Sequence, residues 1–147
     1  MIQIDNSQLV SEYRWQFSDC ELTPHLRTLP GYAGDLARSL RIDAGVELNH
    51  IWSLGRRPDL WSNVISLHPV IHRWFHAHPI EGRIACLYAK WLKGGADWNL
   101  EELNFAAGKF VVGWLECQEG RCDPHFEGWR MLIVTSHALK GNQNGLV

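Results

Sequence analysis

No window of this chain approaches the roughly 18 consecutive apolar residues of a membrane span. Its opening, Met1-Ile2-Gln3-Ile4-Asp5-Asn6-Ser7, lacks the basic segment and apolar core of a secretory leader. Both absences argue against a membrane role, and an intracellular, cytoplasmic location is expected. The four cysteines, Cys20, Cys86, Cys117 and Cys122, are scattered without a paired framework. A reducing cytoplasm would keep them as thiols, so no structural disulfide is expected. A large excess of either charge is also lacking: the net value of −2 argues against nucleic acid being held by bulk electrostatics. There is no internal repeat.

What is present suits one compact domain with a real core: 147 residues, 46% of them hydrophobic. Eight tryptophans point to an aromatic-rich interior. The charge is unevenly spread. From His50 to Lys93 the basic residues Arg56, Arg57, Arg73, Arg83, Lys90 and Lys93 face only Asp59 and Glu81. The two flanks are acidic, so the centre is the basic part of an acidic protein.

The pattern of periodicity and breakers gives the element order. A helix is expected over residues 7–17 with Ser7 as its N-cap, then a loop broken by Pro24, Pro30 and Gly31, then a short helix near 33–41. Residues 46–51 alternate as a half-buried strand does, residues 55–59 read as a turn, and 63–67 as a second strand. Pro69 fits the first position of a helix capped by His68, and Pro79 requires that helix to end, which bounds it at 69–77. Ile80, Ile84, Leu87, Tyr88 and Trp91 recur at helical spacing and are read as core. The same holds for Leu100, Leu103, Ala107, Phe110, Val111, Trp114 and Leu115, with Gly94-Gly95 between the two helices. The polar tail, 141–147, is expected to fray.

Five of the eight histidines fall between Val46 and His78. His72 and His76 are one turn apart on one helix face. That spacing occurs in H-E-x-x-H peptidases, but the residue after His72 is Arg73, so the general base of that mechanism is missing. Cys117, Cys122 and His125 lie close in sequence, yet their spacing is not that of a standard zinc site and a fourth ligand is not evident.

The order strand, loop, strand, helix, with Asn49-His50 opening it, Asn63 in the middle and His72 nine residues later, resembles the HNH endonuclease family and its ββα-metal motif. Glu47-Leu48 before the pair and the additional His76 are similar to the colicin-type DNases, and the pattern is also similar to phage-type HNH proteins. The resemblance covers residues 45–78. It implies an α+β, mostly α-helical single domain with an embedded ββα-metal core at about 45–78 and helical flanks at 1–44 and 79–147. It also implies an enzyme that hydrolyses DNA phosphodiester bonds, by nicking or double-strand cleavage, leaving a 5′-phosphate and a 3′-hydroxyl.

Under that resemblance His50 is the general base, since imidazole titrates near neutral pH. Asn49 and His72 hold one divalent metal, with His76 as a third ligand or phosphate contact, and Asn63 bonds across the loop to orient the base. Arg56, Arg57 and Arg73 are placed to grip phosphates. Position 49 commonly carries Asp or His in this family. A neutral Asn beside two imidazoles shifts the expected ion from Mg2+ toward Mn2+, Ni2+ or Co2+, with Zn2+ also compatible. The cysteine pairs that bind a structural zinc in many HNH proteins are absent, since His68 and Ile71 stand five and eight residues after Asn63. Two rival readings remain: a degenerate scaffold that binds nucleic acid or a protein partner without cutting, and a module whose histidines only staple the fold through a metal. The acidic flanks leave room for a protein partner or a second copy to supply further DNA contacts.

Overall fold

The computed structural model describes residues 6–41, 45–53 and 59–106. The expectations placed on Arg56, Arg57, Cys117, Cys122, His125, the helix past 106 and the tail lie outside them. The described chain is mostly helical with one two-stranded antiparallel sheet, an α+β arrangement. Helix α1 (Asn6–Gln16) begins one residue before Ser7, which is therefore inside the helix and not its cap. Two short helices stand where prolines suggested loop and a later start. Pro24 sits in the first turn of α2 (Thr23–Leu26), and α3 (Gly31–Arg38) begins directly after Pro30 and stops short of residue 41. Proline is tolerated at such starts because those N–H groups have no helical partner anyway.

The hairpin pairs β1 (Glu47–His50) with β2 (Val64–Leu67), Glu47 opposite Leu67 and His50 opposite Val64. Each strand is shorter than the segment expected for it, and Asn63 closes a 3₁₀ turn, Trp61–Asn63, instead of starting β2. All four residues of β2 are buried, whereas Asn49 alone is buried in β1. The outer edge of β2 is covered by the segment after α1. Glu21 N–H donates to the Ser66 carbonyl at 2.8 Å, and Ser66 N–H donates to Glu21 Oε2 at 2.6 Å.

Helix α4 (Pro69–Ala77) starts with His68 as its cap, the imidazole Nδ1 accepting from Val70 N–H at 3.0 Å. His78 ends α4 and opens α5 (Pro79–Lys93), so Pro79 stops one helix by beginning the next. The two helices meet closely at Gly82, where an added Cβ would stand 2.6 Å from Phe75 Cδ2. Ile84 and Leu87 of α5 are core, but Ile80 and Trp91 are exposed, against expectation. Small residues on α5 account for the difference: Gly82, Ala85, Cys86 and Ala89 are all buried and let neighbours close in on another face. A stripe of large residues does not reveal such a face. Helix α6 (Leu100–Ala106) buries Leu103 and exposes Leu100. Of the tryptophans, Trp52 and Trp74 are core while Trp15 is exposed. Cys20 and Cys86 are buried free thiols. Among the described residues no helix is long and apolar enough to cross a membrane.

Candidate metal and phosphodiester site

The end of β1 and one face of α4 bring Asn49, His50, His72 and His76 together. With Leu48 and Ser53 they line a pocket of about 190 Å³. His72 Nδ1 is 3.0 Å from Glu47 Oε1. An ionised carboxylate only accepts, so this nitrogen carries a proton, and in the neutral imidazole Nε2 keeps its lone pair. His76 Nε2 lies 3.0 Å from His72 Nε2. Two imidazole nitrogens each about 2.0–2.1 Å from a single ion stand roughly 3 Å apart, so the spacing of the pair fits one divalent cation.

Asn49 is 2% exposed, and its Nδ2 has no hydrogen-bond partner among the described residues. Burying an amide with unused hydrogen-bonding capacity costs stability unless a ligand or ion makes use of the group. A half-turn about the terminal torsion exchanges Nδ2 for the carbonyl oxygen, the atom able to ligate a cation. Among the described residues no three His, Cys, Asp or Glu side chains form a metal-holding group. The pocket offers two imidazoles and one amide as candidate donors.

His50 Nε2 stands 2.8 Å from Asp59 Oδ1, both side chains being less than a fifth exposed. The same reasoning puts a proton on Nε2 and, in the neutral imidazole, the lone pair on Nδ1. The main chain that follows His50 is held from two sides. Ile51 N–H donates to the Asn63 carbonyl at 2.8 Å, Trp52 N–H donates to Asn63 Oδ1 at 2.9 Å, and Asn63 Nδ2 donates to the Trp52 carbonyl at 3.0 Å. On the other side Arg83 Nε donates to the Ile51 carbonyl at 3.1 Å, with its guanidinium 4.8 Å from the centre of the Trp52 ring. Burial lowers the Arg83 pKa from its ordinary value.

Asn63 thus bridges the loop and does not line the pocket. Arg73, also on α4, is exposed and lines a different cleft with Tyr32 and Trp74. Comparison with protein-family models, curated proteins and solved structures finds no match to this chain. The pocket is described by its own chemistry.

Sequence reasoning assigned no task to Glu47, Asp59 or Arg83. Strand alternation puts Glu47 on the same side of β1 as Asn49, a usable signal. Asp59 is one of only two acids between His50 and Lys93. Arg83 gives no local signal, because its contact depends on α5 passing the loop. A wider depression of about 470 Å³, lined by Ser11, Glu12, Trp15, Gln16 and Trp61, brings no such set of titratable groups together.

Proposed function

We propose that this chain is an HNH-type, metal-dependent endonuclease that hydrolyses DNA phosphodiester bonds. The observation that carries the reading is the convergence of His50, Asn49, His72 and His76 on one pocket at the junction of an antiparallel hairpin and a helix. His50 takes the proton of the attacking water at Nδ1, while Asp59 holds the Nε2 proton and stabilises the imidazolium that forms. The water oxygen bonds to phosphorus, the bond to the 3′-oxygen breaks, that oxygen takes a proton from solvent water, and the products carry a 5′-phosphate and a 3′-hydroxyl. Asn63 and Arg83 fix the main chain beyond His50, which limits how far the base can drift from its target.

His72, His76 and Asn49 would hold the divalent ion, and Glu47 would orient His72. The ion would supply positive charge to the phosphate group. The neutral Asn49 favours one second reading, the same scaffold retaining nucleic acid without cutting it. Nicking of supercoiled plasmid by wild type and Asn49→Asp with Mn2+, Ni2+, Co2+ or Mg2+ separates them. The enzyme reading expects wild-type nicking, stronger with Mn2+, Ni2+ or Co2+ than with Mg2+. An inert wild type with an active Asn49→Asp would establish the degenerate scaffold.

A further inference from the structure

The β1–β2 register decides which way each main-chain group of β1 points. Along an antiparallel pair, residues that exchange hydrogen bonds with the partner strand alternate with residues that turn both groups away from it. Ser66 directs its N–H and carbonyl to Glu21 at the outer edge of β2, so Leu48 opposite it also faces outward. The bond from Ile51 N–H to the Asn63 carbonyl sets the same phase, with Asn49 bonded inward and His50 facing outward. In this outward row the Val46 carbonyl accepts from Arg14 Nη2 at 3.2 Å. The outward N–H and carbonyl groups of Leu48 and His50 have no hydrogen-bond partner among the described residues.

That open edge is a wall of the histidine pocket. Side chains alternate across a strand, yet Leu48, Asn49 and His50 in succession line the same space, so the pocket follows the strand's edge. Leu48 packs its side chain against the cluster of Leu9, Tyr13 and Val64 and meets the pocket through its main chain. Between the two outward residues, Asn49 Nδ2 is buried and also lacks a partner among the described residues.

A phosphate entering the pocket meets no lysine or arginine among the described residues that line it. Arg73 lines the cleft beside α3, Arg83 turns its Nε to the Ile51 carbonyl, and Lys90 is wholly buried. Main-chain N–H groups are the donors that remain, and the edge of a sheet can form an anion-binding concavity from them. An added peptide strand would use the outward carbonyls as well. Arg14 closes the row at Val46, however, and a pocket of about 190 Å³ has room for a phosphate group but not for a strand.

We propose that the open edge of β1 is a phosphate subsite, in which the main-chain N–H groups of Leu48 and His50 donate to nonbridging oxygens of the substrate strand. The assignment rests on the nuclease reading and deepens it. These donors carry no formal charge, so they hold a phosphate without the salt dependence of lysine or arginine contacts.

The test is a ¹⁵N–¹H correlation spectrum of the full chain in chelator, titrated at constant pH with inorganic phosphate and then with thymidine dinucleotide, against chloride at matched ionic strength. The Leu48 and His50 amide protons should move downfield and saturate, while those of Glu47 and Asn49, which point to β2, stay in place. Replacing the Leu48 N–H by an ester oxygen, introduced as the α-hydroxy acid, keeps the side chain. It should weaken dinucleotide binding about ten-fold, the loss of one hydrogen bond to a charged group. Unmoved Leu48 and His50 amides, or an ester variant that binds as well as wild type, would overturn the proposal. Shifts caused by a blocked, uncharged hexapeptide and not by phosphate would overturn it too, in favour of an added strand. The two readings fail separately. Phosphate-dependent shifts at Leu48 and His50 in a protein that nicks nothing keep the subsite and remove the nuclease, and nicking with both amides unmoved does the reverse.

Discussion

Lys90 and Asn49 are both buried polar side chains, and burial serves opposite ends in the two. The three N–H bonds of Lys90 donate to Tyr13 Oη at 2.8 Å, the Trp61 carbonyl at 2.8 Å and Asp97 Oδ1 at 3.1 Å. The Tyr13 hydroxyl donates onward to Glu21 Oε2 at 2.8 Å, and Lys93 pairs with the same carboxylate. Every donor of Lys90 is used, and the network ties α1 to α5 and, through Glu21, to β2. Asn49 instead has an Nδ2 with no partner among the described residues, and it lines the same pocket as His50, His72 and His76. A buried ammonium with every donor used is structural, whereas an amide with unused capacity at the wall of a pocket is a place for a ligand.

The largest expected effect breaks the saturated side. Lys90→Met leaves Asp97, Tyr13 and the Trp61 carbonyl without their donor and should lower the unfolding free energy by about 3–5 kcal/mol in urea titrations. Asn63→Ala should follow at about 2–3 kcal/mol, because the Trp52 N–H and carbonyl both lose their partner in a buried loop. Asn49→Leu should change stability by less than about 1 kcal/mol, since it removes an amide that has no bond to lose on Nδ2. A loss from Asn49→Leu as large as that from Lys90→Met would erase the contrast.

The two regions also differ in what pH does to them. Burial, opposed by Asp97, lowers the Lys90 pKa from 10.5 to about 8, and burial lowers that of Lys93 to about 8 as well. The unfolded chain then holds more protons than the folded one above pH 8, so these lysines make stability rise with pH from about 8 toward 10.5. Burial pushes Cys86 and Tyr13 up from their ordinary 9.0 and 10.0, and their contribution falls as pH climbs past those values. The urea midpoint should therefore increase modestly from pH 7 to pH 9, and by less in Lys90→Met. A steady fall over that interval would contradict the assignment.

The hairpin and α4 were legible because their signals are local. Pro69 and Pro79 bracket the helix, alternation marks β1, and the four-residue spacing places His72 above His76. The lysine network was not legible, since its partners come from 77, 29 and 7 residues away. Counted along the chain, Lys90 is one more charge of a basic centre. In the fold it is a core residue and contributes nothing to an exposed basic surface. Ile80 and Leu100 show the converse: helical spacing marks a face, but only a neighbouring element can cover it. Asp59 and Glu47 were missed because a carboxylate is informative only once the imidazole it faces is known.

Nicking of supercoiled plasmid by wild type and His50→Ala, in Mn2+ and again in chelator, tests the central claim most directly. The account predicts Mn2+-dependent nicking that falls by about 10²–10⁴-fold in His50→Ala. Cutting that persists in His50→Ala or in chelator would contradict it.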